Sequence, residues 1–171
     1  EELEAVFSAM NEAVFAVDND GKILEYNHSA EKLFNLELEH FKGRNIQEAI
    51  INANLYRFIR RALTEKGLIE DEITILNPEE MQLQAHGTQI VTPDYELRGA
   101  VIVLTDITRI KKLEKIRKDF VANVSHELKT PITSIVGFTE TLKDGAIDDV
   151  ENRNHFLNII HNHAERLSGI I

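Results

Sequence analysis

Asp119-Phe120-Val121-Ala122-Asn123-Val124-Ser125-His126-Glu127-Leu128-Lys129-Thr130-Pro131 decides how the second half of this chain is read. Phe120, Val124 and Leu128 recur every fourth position and continue at Ile132, Ile135, Phe138 and Leu142, marking one apolar side of a helix. At about 100° per residue, His126 falls almost half a turn from that row and faces water. Asp119, Asn123, Thr130 and Thr133 lie at i−7, i−3, i+4 and i+7 from it, so a polar strip surrounds an exposed imidazole. A solitary histidine on a solvated helix face is ordinarily a plain surface residue, and periodicity alone favours that reading. The same placement suits chemistry with an outside partner.

The helix extends both ways. From Asp106, with Asp106 or Thr105 as N-cap, Ile110, Leu113, Ile116 and Phe120 step by three or four, so one unbroken helix is expected to run into the histidine stretch. It should end near Asp144, with Gly145 at C′ and Asp148 or Asp149 capping a second helix. There Phe156, Ile160, His163, Leu167 and Ile170 advance alternately by four and three, a heptad seam. Pro131 has no N–H for the carbonyl of Glu127, so it either bends the first helix or, with Thr130 as N-cap, restarts one. Both readings stand, and they are compatible. Burying an Ile, Leu or Phe contributes about 1.5–3 kcal/mol, and two helices with one stripe each cannot close a core. The hairpin is therefore expected to pair with a second copy into a dimeric four-helix bundle.

The first half alternates differently. Leu3, Val6, Phe7 and Met10 mark a short entry helix; Ala13 to Asp18 and Lys22 to Tyr26 form a β-hairpin turning at Asn19-Asp20-Gly21. Asn27 and Ser29 are candidate N-caps for a helix through Phe34, followed by irregular turns around Phe41 to Ile50. Leu55, Phe58, Ile59, Ala62 and Leu63 form another helix, with Gly67 read as its C-cap. Three strands follow, Ile69 to Leu76, Met81 to Val91 and Ala100 to Thr105, with turns at Asn77-Pro78-Glu79-Glu80 and Thr92-Pro93-Asp94-Tyr95. Strand groups joined by tight turns cannot make a parallel βαβ sheet, so the order predicts one five-stranded antiparallel sheet with helices on one face.

Composition narrows the function. The 171 residues carry 43% hydrophobic content, enough for a core, and a net charge of −10 that argues against a nucleic-acid partner. With no cysteine there is no disulfide, thiolate metal site or cysteine nucleophile. His155, His161 and His163 are near one another, but His163 lies on the apolar seam and no carboxylate cluster joins them, so no metal site is expected. His28, His40 and His86 are expected at the surface or at a pocket edge. No apolar run approaches the ~20 residues that span a bilayer, and the acidic start is unlike a signal peptide.

Val124-Ser125-His126-Glu127-Leu128-Lys129-Thr130-Pro131 resembles the H-box of bacterial sensor histidine kinases of two-component systems, whose dimerisation and phosphoacceptor (HisKA-type) domain is a helical hairpin. Arg117 to Asn123 and Gly137 to Leu142 extend the likeness, which is greatest to the phosphate-responsive alkaline-phosphatase sensor kinases. Leu3 to Thr108 resembles a PAS domain, through Val17-Asp18-Asn19-Asp20-Gly21-Lys22-Ile23, Asn27-His28-Ser29-Ala30, Phe41-Lys42-Gly43-Arg44 and the exit Asp106-Ile107-Thr108-Arg109. The expected architecture is α+β: a PAS sensor domain over 1–106, a helical linker over 107–118, and a dimerisation and histidine phosphotransfer domain over 119–171.

The resemblance implies that a ring nitrogen of His126 takes the γ-phosphoryl group of ATP and passes it to an aspartate on a response-regulator receiver domain. Glu127 would be the general base, although successive helical residues point about 100° apart and Glu127 does not naturally face His126. Glu127-x-x-Thr130 resembles the family's phosphatase motif, the hydroxyl orienting water toward the regulator's aspartyl phosphate. The eight glycines are scattered without Gly-x-Gly, so ATP and magnesium are expected on an ATP-binding domain outside this stretch, which should not autophosphorylate alone. Partners implied are a second copy, that ATP domain and the receiver domain; the setting implied is a cytoplasmic fragment of a bacterial membrane protein. Photosensing relatives carry cysteine where Ile46 stands, and haem-type relatives a histidine that residues 52–66 lack. The identity of any PAS ligand stays open. Competing readings are a non-catalytic dimerisation and ligand-binding module, and a PAS adaptor feeding an unrelated output domain.

Overall fold

A computed structural model describes residues 2–76, 78–94 and 96–169, with side chains from residue 6 onward. The sequence readings at Asn77, Tyr95 and Ile170, and at the Leu3 side chain, lie outside those residues. The chain divides into two compact units, 1–112 and 113–171.

The first unit contains α1 (Glu2–Ala9), β1 (Ala13–Val17), β2 (Ile23–Tyr26), α2 (His28–Phe34), a 3₁₀ turn (Leu38–Phe41), α3 (Ile46–Ala49), α4 (Ala53–Thr64), β3 (Ile69–Leu76), β4 (Glu80–Val91) and β5 (Leu97–Asp106). The strands form one sheet in the order β2-β1-β5-β4-β3, every neighbouring pair antiparallel. The register sets Phe15 opposite Ile102 and Ala85 opposite Leu104, so side chains of one parity share the buried face. Phe15, Val17, Leu83, Ala85, Ile102 and Leu104 on that face meet Phe34 of α2 and Phe58 and Ile59 of α4. Phe15 and Phe34 stack tilted at 5.8 Å. Gly87 lets α4 approach the sheet: a Cβ there would stand 2.8 Å from Ala62 Cβ.

Three asparagines open three helices. Oδ1 of Asn27, Asn45 and Asn52 accepts first-turn N–H groups of α2, α3 and α4 respectively. Asn27, 2% exposed, does more. Its Oδ1 accepts from Val14 N and Ala30 N, both at 3.0 Å, while Nδ2 donates to the carbonyls of Glu12 (2.8 Å) and Phe7 (3.2 Å). One side chain thus ties α1, the following loop, β1 and α2. Ser29, the other candidate cap, instead donates from Oγ to Met10 O at 2.6 Å. In the hairpin turn, Oδ1 of Asp18 accepts the N–H groups of Asp20 and Lys22, and Gly21 takes φ +79°.

One local reading is corrected. Gly67 does not cap α4: the capping position is Glu65, in extended conformation, and Gly67 takes φ +87° two residues later. The entry helix forms as read: Val6 is 63% exposed, Phe7 and Met10 are half-buried, and the carbonyls of Phe7 and Met10 accept from Asn27 and Ser29.

α5 (Thr108–Lys143) begins in this unit. Asp106 accepts from Thr108 N at 2.9 Å and from its hydroxyl, Thr108 Oγ1 accepts from Gln82 N at 2.9 Å, and Ile107 N donates to Gln82 O. Lys111 pairs with Glu72 of β3 at 2.8 Å. Asp106 satisfies the helix start, as read, but from just outside the cap position, and Thr105 belongs to β5.

The second unit holds the remainder of α5, a 3₁₀ turn (Ala146–Asp148) and α6 (Val150–Ser168). Gly145 at φ +121° ends the first helix, and Asp149 caps the second by accepting from Glu151 N and Asn152 N. Asn27→Ala would strand the buried N–H of Val14, leave Ala30 N with only its backbone bond to Asn27 O, and remove the side-chain donor from two carbonyls. It should cost about 2–4 kcal/mol of stability, read from the urea midpoint.

Candidate functional site: an exposed histidine on α5

The seam of α5 runs through Val124, Leu128, Pro131, Ile135, Phe138 and Leu142, which are half-buried or buried. Their steps of four and three hold one direction, whereas four-residue steps alone rotate by about 40° each. That drift carries Ile132 off the seam, where it is 48% exposed, and Pro131 takes its place with its ring fully buried. Phe120 is 65% exposed, beyond the span of α5 that faces the described residues of α6. The reading that placed Phe120 and Ile132 on the buried side is therefore corrected for the single chain. On α6, Phe156, Ile160, His163 and Leu167 are half-buried as the heptad requires, and Phe138 meets Phe156 ring to ring at 5.2 Å.

Pro131 lies inside an unbroken α-helix, so the helix is not restarted there. Thr130 does not cap; its hydroxyl turns back toward the carbonyl of His126 at 3.4 Å, a long contact one turn away. Thr133 makes the same i−4 bond to Lys129 at 2.8 Å.

His126 stands on the solvated side of α5, exposed, between half-buried Val124 and Leu128. Glu127, its neighbour, is held elsewhere: Oε2 accepts from Nη2 of Arg166 on α6 at 2.8 Å. Among the described residues no hydrogen bond joins the Glu127 carboxylate to the His126 ring. The structure therefore brings His126 and Thr130 onto one face and turns Glu127 toward the other helix. Arg166 was missed in the sequence. Reflection about the turn at 146–147 sets 127 opposite 166 and 138 opposite 155–156, so the loop position carries the signal once the hairpin is drawn. Among the described residues no group of three potential metal ligands forms, and no helix is long and apolar enough to cross a membrane. In the first unit, a surface cleft of about 250 Å³ is lined by Phe34, Leu36, Ala49, Ile50, Ile75 and Leu76.

Comparison with known proteins agrees with this layout. Residues 1–107 match the PAS fold family and residues 116–171 match the His Kinase A (phospho-acceptor) domain. The chain belongs to the sensor histidine kinases that join a PAS fold to a phospho-acceptor domain. It is 36% identical over 146 residues to the phosphate regulon sensor protein PhoR of Pseudomonas aeruginosa, covering 85% of this chain and 31% of that protein. It is 29% identical over 170 residues to the sensor protein kinase WalK of Staphylococcus aureus, covering 99% of this chain and 27% of that one. The chain thus spans under a third of the length of these relatives. Two solved PAS domains share the fold of the first unit. One, from Colwellia psychrerythraea, has TM-score 0.55 and 19% identity, covering 63% of this chain and 96% of that one. The other, from nitrogen regulation protein NR(II) of Vibrio parahaemolyticus, has TM-score 0.54 and 19% identity, covering 63% and 99%.

Exposure separates the two histidines of this unit that matter most, His126 outside and His163 on the seam. Diethyl pyrocarbonate should modify His126 several-fold faster than His163, as followed by peptide mass spectrometry.

Proposed function

We propose that this chain is the sensor and phosphoacceptor core of a two-component histidine kinase, acting in the cytoplasm. One ring nitrogen of His126 attacks the γ-phosphorus of ATP held by a catalytic domain outside these residues. The N–P bond forms as the bond to the β,γ-bridging oxygen breaks, ADP leaves, and the proton on the other ring nitrogen passes to Glu127. A response-regulator aspartate then attacks phosphorus and returns the imidazole. Thr130, one turn from His126 on the same face, positions water for hydrolysis of the regulator's aspartyl phosphate.

The observation that carries this reading is the exposed His126 on the side of α5 turned away from the seam, within a segment that matches the phospho-acceptor domain. The likeness to the phosphate regulon sensor supports a place in that branch of the family. The PAS unit would supply the input, through Asp106, Thr108 and Gln82 at the start of α5.

The active form is a homodimer in this proposal. Phe120, Val121, Ile132, Val136 and Leu157 are each 48% exposed or more in the single chain, an apolar surface that a second hairpin would cover. Sedimentation at micromolar concentration should give twice the monomer mass, and a monomeric mass would contradict it. Mixed with a separately produced kinase ATP domain and labelled ATP, the chain should take up acid-labile label that His126→Gln loses. Wild type without label would overturn the phosphoacceptor assignment. Thr130→Ala should keep the label yet lose regulator dephosphorylation by tenfold or more; equal loss of both would refute the division of roles.

A further inference from the structure

Glu127 has two possible partners, and the hairpin chooses between them. The imidazole next to it in sequence lies about 100° around the helix, whereas Arg166 comes to it from α6 with a 2.8 Å bond between Nη2 and Oε2. The contact spans 39 residues and follows from the turn: with the fold-back centred at 146–147, no other register sets a guanidinium opposite Glu127. Asp149 and Gly145 hold that turn, and the Phe138–Phe156 ring contact holds the register between turn and ion pair.

We infer that Arg166 is a positioning residue for the phosphotransfer reaction, holding the Glu127 carboxylate off the His126 ring until the bond opens. This rests on His126 being the phosphoacceptor. A carboxylate committed to Arg166 cannot take the ring proton; released, it can swing by a rotamer change to the imidazole beside it. Both side chains are more than half exposed, 58% for Arg166 and 60% for Glu127. A solvated ion pair biases such a choice weakly, by about two- to fivefold in population. The hold is therefore light enough to be opened by a docking domain or by a small slide of α6 against α5, and strong enough to slow the unprompted reaction. Arginine suits the task better than lysine, because its planar fork fixes the direction of the carboxylate as well as its charge.

The test uses the whole chain with a separately produced ATP domain and labelled ATP. Arg166→Ala should raise the initial labelling rate of His126 about two- to fivefold, and Arg166→Lys should lie between it and wild type. With Glu127→Gln in the background, labelling should be low and indifferent to residue 166, because the carboxylate that Arg166 restrains is gone. A second readout needs no activity. The nitrogen-15 shifts of the His126 ring should move in Arg166→Ala toward a hydrogen-bonded N–H and return in the Arg166→Ala, Glu127→Gln pair. A folded Arg166→Ala chain that labels no faster than wild type, with the ring shifts unchanged, would overturn the inference. Should Arg166→Ala lose helix content, Arg166→Lys decides: a raised rate supports the inference and an unchanged rate overturns it. Absence of label on wild type would defeat the phosphoacceptor reading instead, leaving the ring shifts to judge Arg166.

Discussion

The seam between α5 and α6 is the constraint on which the second unit depends. Val124, Leu128, Pro131, Ile135, Phe138 and Leu142 leave water together, and their alternating steps fix the rotation of α5 about its own axis. Once that rotation is set, no freedom remains for the opposite side. His126 must point outward, Thr130 must follow it one turn on, and Glu127 must lie to the flank where α6 can reach it. Apolar burial has no direction of its own, yet here it aims a polar side chain by elimination.

In the first unit the organising role falls to a polar group. Asn27 satisfies two N–H groups and two carbonyls from four separate pieces of chain, at a point that water does not reach. Such a fully bonded buried amide specifies geometry more sharply than a hydrocarbon would, since any displacement strands several partners at once. The sheet and helices around it supply most of the buried area, and Asn27 fixes how α1 and α2 meet β1.

What could be read from the chain was what local chemistry controls. The five strands follow from period-two alternation with turn residues between them, the hairpin at Gly21 from its demand for positive φ, and the α6 start from Asp149. The position of His126 followed from helical periodicity, and the resemblance gave that position a role. The misses share a cause, in that each needs knowledge of what packs where. Ile132 looked equivalent to Leu128, until accumulated rotation over several turns carried it off the seam and brought Pro131 onto it. Arg166 looked like any surface arginine, because 39 residues separate it from the carboxylate it binds.

Pro131 has one more effect on this surface. Lacking an N–H, it leaves the backbone oxygen of Glu127 without the donor that an interior helical carbonyl ordinarily receives, while its ring is sealed into the seam. The turn that bears the imidazole is thus held by one main-chain hydrogen bond fewer than the turns around it, and packing of the proline ring, rather than the backbone ladder, keeps it helical.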